Sequence, residues 1–302
     1  MKYVFGPVAS RRLGTSLGVD LLYNSICSFD CIYCECGKTS AHTLKRAEYV
    51  SYNEVISELK FYLDSNEKNI DYVTFSGSGE PTLHTRIGDV IKFIKQYDVK
   101  VALLTNSTLL SDPKVRKEIM DIDLVVPTLN TVNQTTLEKI NRPCDGINIE
   151  NIKSGLKLFS EEFKGQIFVE VLLCAGINDS IEEISAIADF LKNVKFTKIQ
   201  INTVVRPPAY GEARLVSHEK LLEFNSYFQS QGLDSEIIGN PPKIKKSKYD
   251  EKEFLRTVEI RPLTRKDISS LFEIKDSDID KILQSLIKKR IIYRDGDFYI
   301  KK

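Results

Sequence analysis

The sequence predicts an α/β fold, a partial (β/α)6 parallel barrel followed by a small C-terminal domain, and three observations carry that prediction. Six short, β-branched-rich runs alternate with helical patterns between residue 17 and about residue 205. Most of those runs are almost continuously apolar, as strands buried on both faces must be. Beyond residue 240 the texture changes, first to a polar stretch rich in Pro and Lys and then to a second compact pattern.

The strands expected are 17–22, 71–77, 100–106, 123–129, 166–173 and 198–205. Strand and helix alternating in this way build a parallel sheet with right-handed crossovers. Six units rather than eight leave a partial barrel, with a doubly wound sheet as the alternative. Both place an active site beyond the C-terminal strand ends. Between the strands, Ser51 with Glu54 spells a capping box, and Val55, Leu59 and Tyr62 follow at helical spacing. Asp112-Pro113 reads as an N-cap and first helical residue. Ile149, Ile152, Leu156 and Phe159 form another stripe, as do Ile181, Ile184, Ile187 and Val194. These stripes are core-facing and carry no chemistry.

The predicted organisation is a barrel domain over 1–240, a linker over 241–254 and a small domain over 255–302. The last part reads as a strand (Thr257 to Pro262), a helix after Thr264, a helix opening at Asp276 or Ser277, and a hairpin. Asp295-Gly296 suits the hairpin's type I′ turn. Two helices and a terminal hairpin are the pattern of a winged helix-turn-helix. Its segment from Lys281 to Arg290 is a candidate recognition helix, although Asp276, Asp278 and Asp280 at the front fit the helix dipole better than a phosphate.

Composition narrows the function. At 42% hydrophobic residues the chain supports a packed core, so disorder is not expected. No apolar run reaches the ~18 residues a membrane span needs. No secretion signal opens the chain, so a cytoplasmic protein without membrane association is expected. After residue 240 there are 17 Lys and Arg against 11 Asp and Glu; this excess of +6 leaves −5 for the rest of a chain of net charge +1. Such a tail suits either a polyanion or plain solvation.

Four of the six cysteines fall within ten residues, Cys27, Cys31, Cys34 and Cys36, which points to metal ligation rather than to disulfides. Cys27-Ser-Phe-Asp-Cys31-Ile-Tyr33-Cys34 directly follows the first expected strand. Three thiolates so spaced can wrap one loop around an iron–sulfur cubane, ligate three irons and leave the fourth open. A four-thiolate zinc site including Cys36 is the competing reading, although structural zinc sites usually draw their ligands as paired knuckles from two segments. Cys144 and Cys174, standing alone, read as small buried hydrophobes.

The other strand ends carry polar groups. The second ends in Ser76-Gly77-Ser78-Gly79-Glu80-Pro81-Thr82, where glycines let backbone approach a ligand and Glu80 can accept from an amine. The third ends in Thr105-Asn106-Ser107 and the fourth in Thr128-Leu129-Asn130. Arg142 suits a carboxylate through bidentate geometry, with a surface salt bridge as the alternative. Arg206 and Tyr210, in a stiff Arg-Pro-Pro segment, are candidate substrate contacts. Arg11 and Arg12, ahead of the first expected strand, would suit an anionic substrate or simply be solvated. His42, His84 and His218 show no catalytic pairing.

The cysteine spacing, with Tyr33 before the third cysteine, resembles the radical S-adenosylmethionine (radical SAM) signature. The Gly77-Ser78-Gly79-Glu80 turn resembles that family's Gly-Gly-Glu motif. Over residues 1–215, Gly6-Pro7-Val8-Ala9-Ser10-Arg11-Arg12-Leu13-Gly14, the cysteine loop, Gly77 to Thr82 and Arg206-Pro207-Pro208 follow the order of a branch grouped with wyosine-type tRNA-modifying enzymes. The resemblance implies a [4Fe–4S] cluster on Cys27, Cys31 and Cys34. It also implies S-adenosylmethionine near Tyr33, Gly77, Gly79, Glu80, Thr105, Asn106, Thr128, Asn130 and Arg142. Thr128 and Asn130 depart from the serine and acid common at those positions in the family. The implied reaction is reductive cleavage of S-adenosylmethionine, giving a 5′-deoxyadenosyl radical that abstracts a substrate hydrogen. The implied partners are a flavodoxin- or ferredoxin-like electron donor and, as a substrate reading, tRNA. The alternative is an iron–sulfur or zinc nucleic-acid-binding regulator without turnover.

Overall fold

A computed structural model of the chain describes residues 1–64, 70–239, 241, 244 and 246–302. Its main sheet has eight strands in sequence order: β1 (Val4–Ser10), β2 (Gly14–Val19), β3 (Tyr72–Phe75), β4 (Lys100–Thr105), β5 (Leu124–Pro127), β6 (Gln166–Leu173), β7 (Lys198–Thr203) and β8 (Ser235–Ile237). From β2 to β8 every neighbouring pair is parallel, with Leu17 beside Val73, Val73 beside Val101 and Val169 beside Ile199. The six expected strands are all present, as β2 to β7. Two more, β1 and β8, lie at the edges. β1 folds back antiparallel on β2, pairing Ser10 with Gly14 and Val4 with Val19. The sheet is thus a barrel left open between β1 and β8.

Helices cover the outer face: α1 (Tyr52–Leu63), α2 (Ile87–Ile94), α3 (Pro113–Glu118), α4 (Gln134–Ile140), α5 (Ile149–Glu162), α6 (Ile181–Leu191) and α7 (His218–Ser230). Of these, α1, α3, α5 and α6 stand at the segments expected, and α2, α4 and α7 come besides. Asp112 caps α3, accepting from Lys114 N–H ahead of Pro113. The capping box at Ser51 does not form. The Ser51 side chain caps nothing, and Glu54 accepts from the Tyr3 hydroxyl at 3.0 Å instead. Leu17, Val73, Val101, Val125 and Val169 from the strands join Leu59, Ile91, Leu156 and Ile187 from the helices in one continuous core.

The C-terminal part departs from expectation in two ways. Residues 251–260 form a helix, α8 (Glu251–Ile260), where a linker and then a strand are expected. Asp250 caps it, and Phe254 and Val258, four residues apart, bury one face; helical spacing wins over the local Thr-Val-Glu-Ile alternation. Of the expected linker, residues 242, 243 and 245 lie outside the described ones. Helices α9 (Arg265–Leu271) and α10 (Asp276–Lys288) follow, then the hairpin β9 (Ile292–Asp295) and β10 (Phe298–Lys301). Asp295 pairs with Phe298, so the turn residues are Gly296-Asp297, one later than expected. Gly296 alone has positive φ (56°), the pattern of a type II′ turn rather than I′. Phe254, Val258, Phe272, Leu283 and Ile292 form a separate apolar core, and Val8 of β1 is part of it. The small unit therefore sits on the edge strand of the barrel.

Candidate active site

Beyond Val19 the chain turns across the strand ends. Asp20 accepts from the backbone N–H of Leu22 and Tyr23, which ends the strand before the expected residue 22. Tyr23, Asn24 and Ser25 then all take left-handed φ, a costly run for non-glycine residues. This bend delivers Cys27 to the top of the barrel, where Ile26–Cys27 pair with Ala41–His42. Cys27 and Cys34 line one cavity of about 340 Å³, and Tyr33 and Cys36 line it with them.

Amide donors face the sulfurs. Cys27 Sγ accepts from Phe29 N–H at 3.4 Å and from Asn106 Nδ2 at 3.5 Å; Cys31 Sγ accepts from Asn141 Nδ2 at 3.2 Å. Burial pushes the Cys27 thiol well up, and Cys31 raises it further; burial and Cys34 push Cys31 up to about 12. Buried thiols that repel one another's ionisation need a cation to become thiolates, and amide donors at sulfur steady such ligands once ionised. Among the described residues no three His, Cys, Asp or Glu side chains converge as ligands of a single ion would. The Cys36 thiol hydrogen-bonds to Cys34, which lowers the Cys34 thiol and raises its own, and it also lies 3.1 Å from Gly77 O and 3.2 Å from Ile260 O.

The glycine turn closes the next side of the cavity. Gly77 has φ 133°, and a Cβ on Gly79 would stand 1.9 Å from Ile26 O, so the turn packs directly against the residue before Cys27. Glu80 is buried with both carboxylate oxygens taken. Thr82 N–H and Oγ1 and Thr105 Oγ1 donate to Oε1, and Asn106 N–H donates to Oε2 at 2.7 Å. Burial raises its pKa against the pull of those donors. Thr105, Asn106 and Thr128 line the cavity beside it. Asn130 sits behind the wall, donating to the Tyr33 hydroxyl at 2.6 Å and accepting from Leu172 N–H. Arg142 is not among the residues lining the cavity: its guanidinium stacks 4.0 Å from the Tyr210 ring and pairs with Glu212.

Charged side chains span the gap in the barrel. Arg12 pairs with Glu170 of β6, and Arg11 donates to Asn202 Oδ1 of β7 at 3.2 Å. Glu35, in the cysteine loop, lies 3.4 Å from Arg206 and 4.0 Å from Arg11. The small unit contributes Ile260 and Arg261 to the cavity wall. Arg261 donates to Ala9 O at 3.2 Å, and Arg206 donates to Pro262 O and lies 3.3 Å from Asp267. Beneath this, Asp20 and Arg256 form an ion pair at 2.7 Å, 1% and 7% exposed.

Residues 21–191 match the family profile described as the radical SAM superfamily. The chain belongs to that superfamily. Its cofactors are accordingly a [4Fe–4S] cluster and S-adenosylmethionine, and the thiol loop with its sulfur-facing amides is a donor set of the right kind. A UPF0026 protein of Helicobacter pylori is 33% identical over 295 residues, 96% of this chain and 93% of that one. A protein named GTPase Obg from Brachyspira hyodysenteriae is 35% identical over 95% of this chain, but this radical SAM chain spans only 43% of its length. Among solved structures, a radical SAM methyltransferase from Sphaerobacter thermophilus superposes with TM-score 0.57 at 13% identity, covering 74% of this chain and 65% of that one. That likeness is one of fold.

Several residues in and around this cavity escape sequence reasoning: Glu35, Asn141, Glu170, Asn202, Arg261 and the Asp20–Arg256 pair. Glu170 does leave a signal, a charged residue interrupting the apolar run of β6. The others are visible only through partners far along the chain.

Proposed function

We propose that Cys27, Cys31 and Cys34 hold the cluster and that S-adenosylmethionine lies in the adjoining cavity between Tyr33, the Gly77–Glu80 turn, Thr105, Asn106 and Thr128. Bound there, the two cofactors supply a 5′-deoxyadenosyl radical that abstracts hydrogen from a substrate. The single observation that supports this reading is the shared cavity: Cys27 and Cys34 line the same space as both glycines, Glu80 and the ends of β4 and β5. The protein's own contribution is to bind, orient and exclude water. Glu80 ties its own turn after β3 to the end of β4 through Thr82, Thr105 and Asn106. The cofactor's amino group has only the carboxylate face left open, or the turn's carbonyls. Asn106 and Asn141 set the field at the sulfurs. Asn130 acts through Tyr33, and Arg142 positions Tyr210.

The reduced state needs an external electron, for which a flavodoxin- or ferredoxin-like donor in the cytoplasm is proposed. No helix among the described residues is long and apolar enough to cross a membrane. A tRNA substrate is supported by likeness to proteins named probable dual-specificity RNA methyltransferase RlmN, 24% identical over 70% of this chain in Thermotoga sp.. It is also supported by the exposed basic end of α10 at Lys288, Lys289 and Arg290. The acids at the front of α10 are already paired, Asp276 and Asp280 with Arg265 and Asp278 with Lys281. Against a tRNA substrate stands the wall that Ile260 and Arg261 of the C-terminal unit add to a cavity of about 340 Å³. Anaerobic reconstitution tests the function: wild type should bind four irons per chain (one cubane) and release 5′-deoxyadenosine under dithionite. Cys27→Ala, Cys31→Ala and Cys34→Ala should do neither, and Cys36→Ala should still do both. Loss of the cluster in Cys36→Ala, or zinc in place of iron, would refute the assignment.

A further inference from the structure

We infer that Arg11, Arg206 and Arg261 form an anion site shared by the barrel and the C-terminal unit, and that it holds the carboxylate or phosphate of a small substrate. The inference rests on the radical SAM reading of the cavity and names the class of molecule that fills the rest of it.

Charge compensation carries the argument. Three guanidiniums face one another across the gap between β1 and the segment after β7. Arg206 is 8% exposed and Arg11 14%. Among the described residues two carboxylates lie within 4.0 Å of these three, and Glu170 acts on Arg11 from farther away. Glu35 is divided between Arg11 at 4.0 Å and Arg206 at 3.4 Å, and Asp267 lies 3.3 Å from Arg206. Arg261 has a single hydrogen bond, to the neutral carbonyl of Ala9. Arg12 does not make up the balance, because Glu170 already pairs with it. A guanidinium cannot lose its charge as a lysine can, so an uncompensated one inside a wall is costly. Burial and the nearby Arg206 lower Arg261 to about 10, which expresses the same deficit. An anion entering the cavity supplies the missing charge and accepts from donors that now have one weak partner or none. Arginine forks suit carboxylate and phosphate alike.

Size follows from the walls. The cavity is about 340 Å³ before any cofactor enters, and Ile260 and Arg261 form part of its wall. This lies at the low end of the range for small-molecule sites, roughly 300–1,000 Å³. The arginines lie at the end of the cavity away from Glu80 and the strand ends, so a co-substrate reaching them past S-adenosylmethionine would be a small acid or phosphate ester rather than a folded macromolecular surface. Arg261 belongs to the C-terminal unit, so that unit completes the site rather than merely flanking it.

The test is equilibrium binding to the full-length wild-type chain, by calorimetry at low salt. One arm uses inorganic phosphate and pyrophosphate and the other acetate and succinate, so that the arms tell the two anion chemistries apart. Each is repeated with saturating S-adenosylhomocysteine, and bulk tRNA is titrated separately. The expected result is saturable binding of one series, undisturbed by S-adenosylhomocysteine. Arg261→Gln should weaken it by roughly tenfold to a hundredfold, the scale of a charge-assisted bond. Arg11→Gln should weaken it as well if Arg261→Gln fails to fold, and Arg265→Gln, outside the cavity, should leave it unchanged. Four results would overturn the proposal: no anion binding, displacement of the anion by S-adenosylhomocysteine, unaltered affinity in Arg261→Gln and Arg11→Gln, or binding of tRNA alone. Failure of the radical SAM reading would look different, as intact anion binding in a chain that never yields 5′-deoxyadenosine.

Discussion

The Asp20–Arg256 pair is the strongest single tie between the barrel and the C-terminal unit, and a double-mutant cycle can measure it. Asp20 is 1% exposed and accepts from Arg256 at 2.7 Å, from Ser78 Oγ at 2.7 Å and from two backbone N–H groups. Arg256 has fewer alternatives: Glu259 at 3.2 Å, the Tyr23 ring at 5.1 Å, and a buried Nε with no acceptor. Removing one partner of a buried pair costs about 3–5 kcal/mol, because the other charge is left without its counterion. Arg256→Met leaves a carboxylate that keeps three donors, so its cost should lie near 3 kcal/mol, at the low end of that range. Asp20→Asn leaves a buried guanidinium with one partly exposed acid, so its cost should lie nearer 5 kcal/mol. The double variant strands neither charge, so its loss should fall short of the sum by about 2–3 kcal/mol. The assay is urea denaturation of the four proteins, with amide exchange at Phe254 to Val258 reporting whether α8 undocks before the barrel unfolds. Strictly additive losses, or a cost below about 1 kcal/mol for Arg256→Met, would refute the view that this pair clamps the two units.

Three further outcomes are expected. Burial and the neighbouring Asp250 raise the Glu253 carboxyl to about 7, so the folded state holds its proton more tightly than the unfolded chain does. Its stabilising contribution is complete below the usual carboxylate range and is lost as pH rises through 7. Glu253→Gln should therefore match wild type at pH 4 and exceed it at pH 8 by roughly 1 kcal/mol, after discounting for its partial exposure, in urea midpoints across that range; equal midpoints at pH 8 would contradict it. Gly79→Ala puts a methyl where Ile26 O stands 1.9 Å away, which should displace Cys27 and lower iron retained per chain, read by colorimetric iron assay. Full iron loading in that variant would show that the turn does not brace the cysteine loop. Tyr33→Phe removes the acceptor of Asn130 and Asn141, at 2.6 and 3.0 Å, and should cost about 1–3 kcal/mol in apo-protein denaturation. A negligible loss would mean both amides find other acceptors.

The legible parts of the molecule are those where one local rule decides the structure. Strands β2 to β7 are buried on both faces, and their apolar runs say so directly. The cysteine loop is legible because its chemistry is a spacing within eight residues. The edge strands are harder. β1 contains Gly6-Pro7, which argues against a strand, and its turn at Arg11-Arg12-Leu13 lacks the usual hairpin residues. β8 is three residues long. Asp20 reads as strand because its neighbours are apolar, yet its carboxylate organises the turn that ends the strand. Arg256 and Arg261 read as ordinary charges, since their partners, Asp20 and Ala9, lie well over two hundred residues away. The proposed cofactor end of the cavity rests on motifs within the sequence, whereas its far wall is a product of tertiary structure alone.

That division bears on how the two ends of the cavity work. A complete barrel closes through main-chain hydrogen bonds between its first and last strands, a seam that opens only by breaking the sheet. Here β1 and β8 do not pair, and the gap is crossed by side chains: Arg12 to Glu170, Arg11 to Asn202, Arg206 to Asp267, Arg261 to Ala9. Polar side-chain contacts of this kind exchange for water or ligand one at a time, each worth about 1.5–3 kcal/mol net because an arginine charge takes part. The cluster loop is fixed to this seam through Glu35 and through Cys36, whose thiol reaches both the glycine turn and the end of α8. A ligand that rearranges the arginines therefore acts on the same loop that carries Cys27, Cys31 and Cys34. Anion binding at the proposed site and the setting of the cysteine loop would then share one set of contacts.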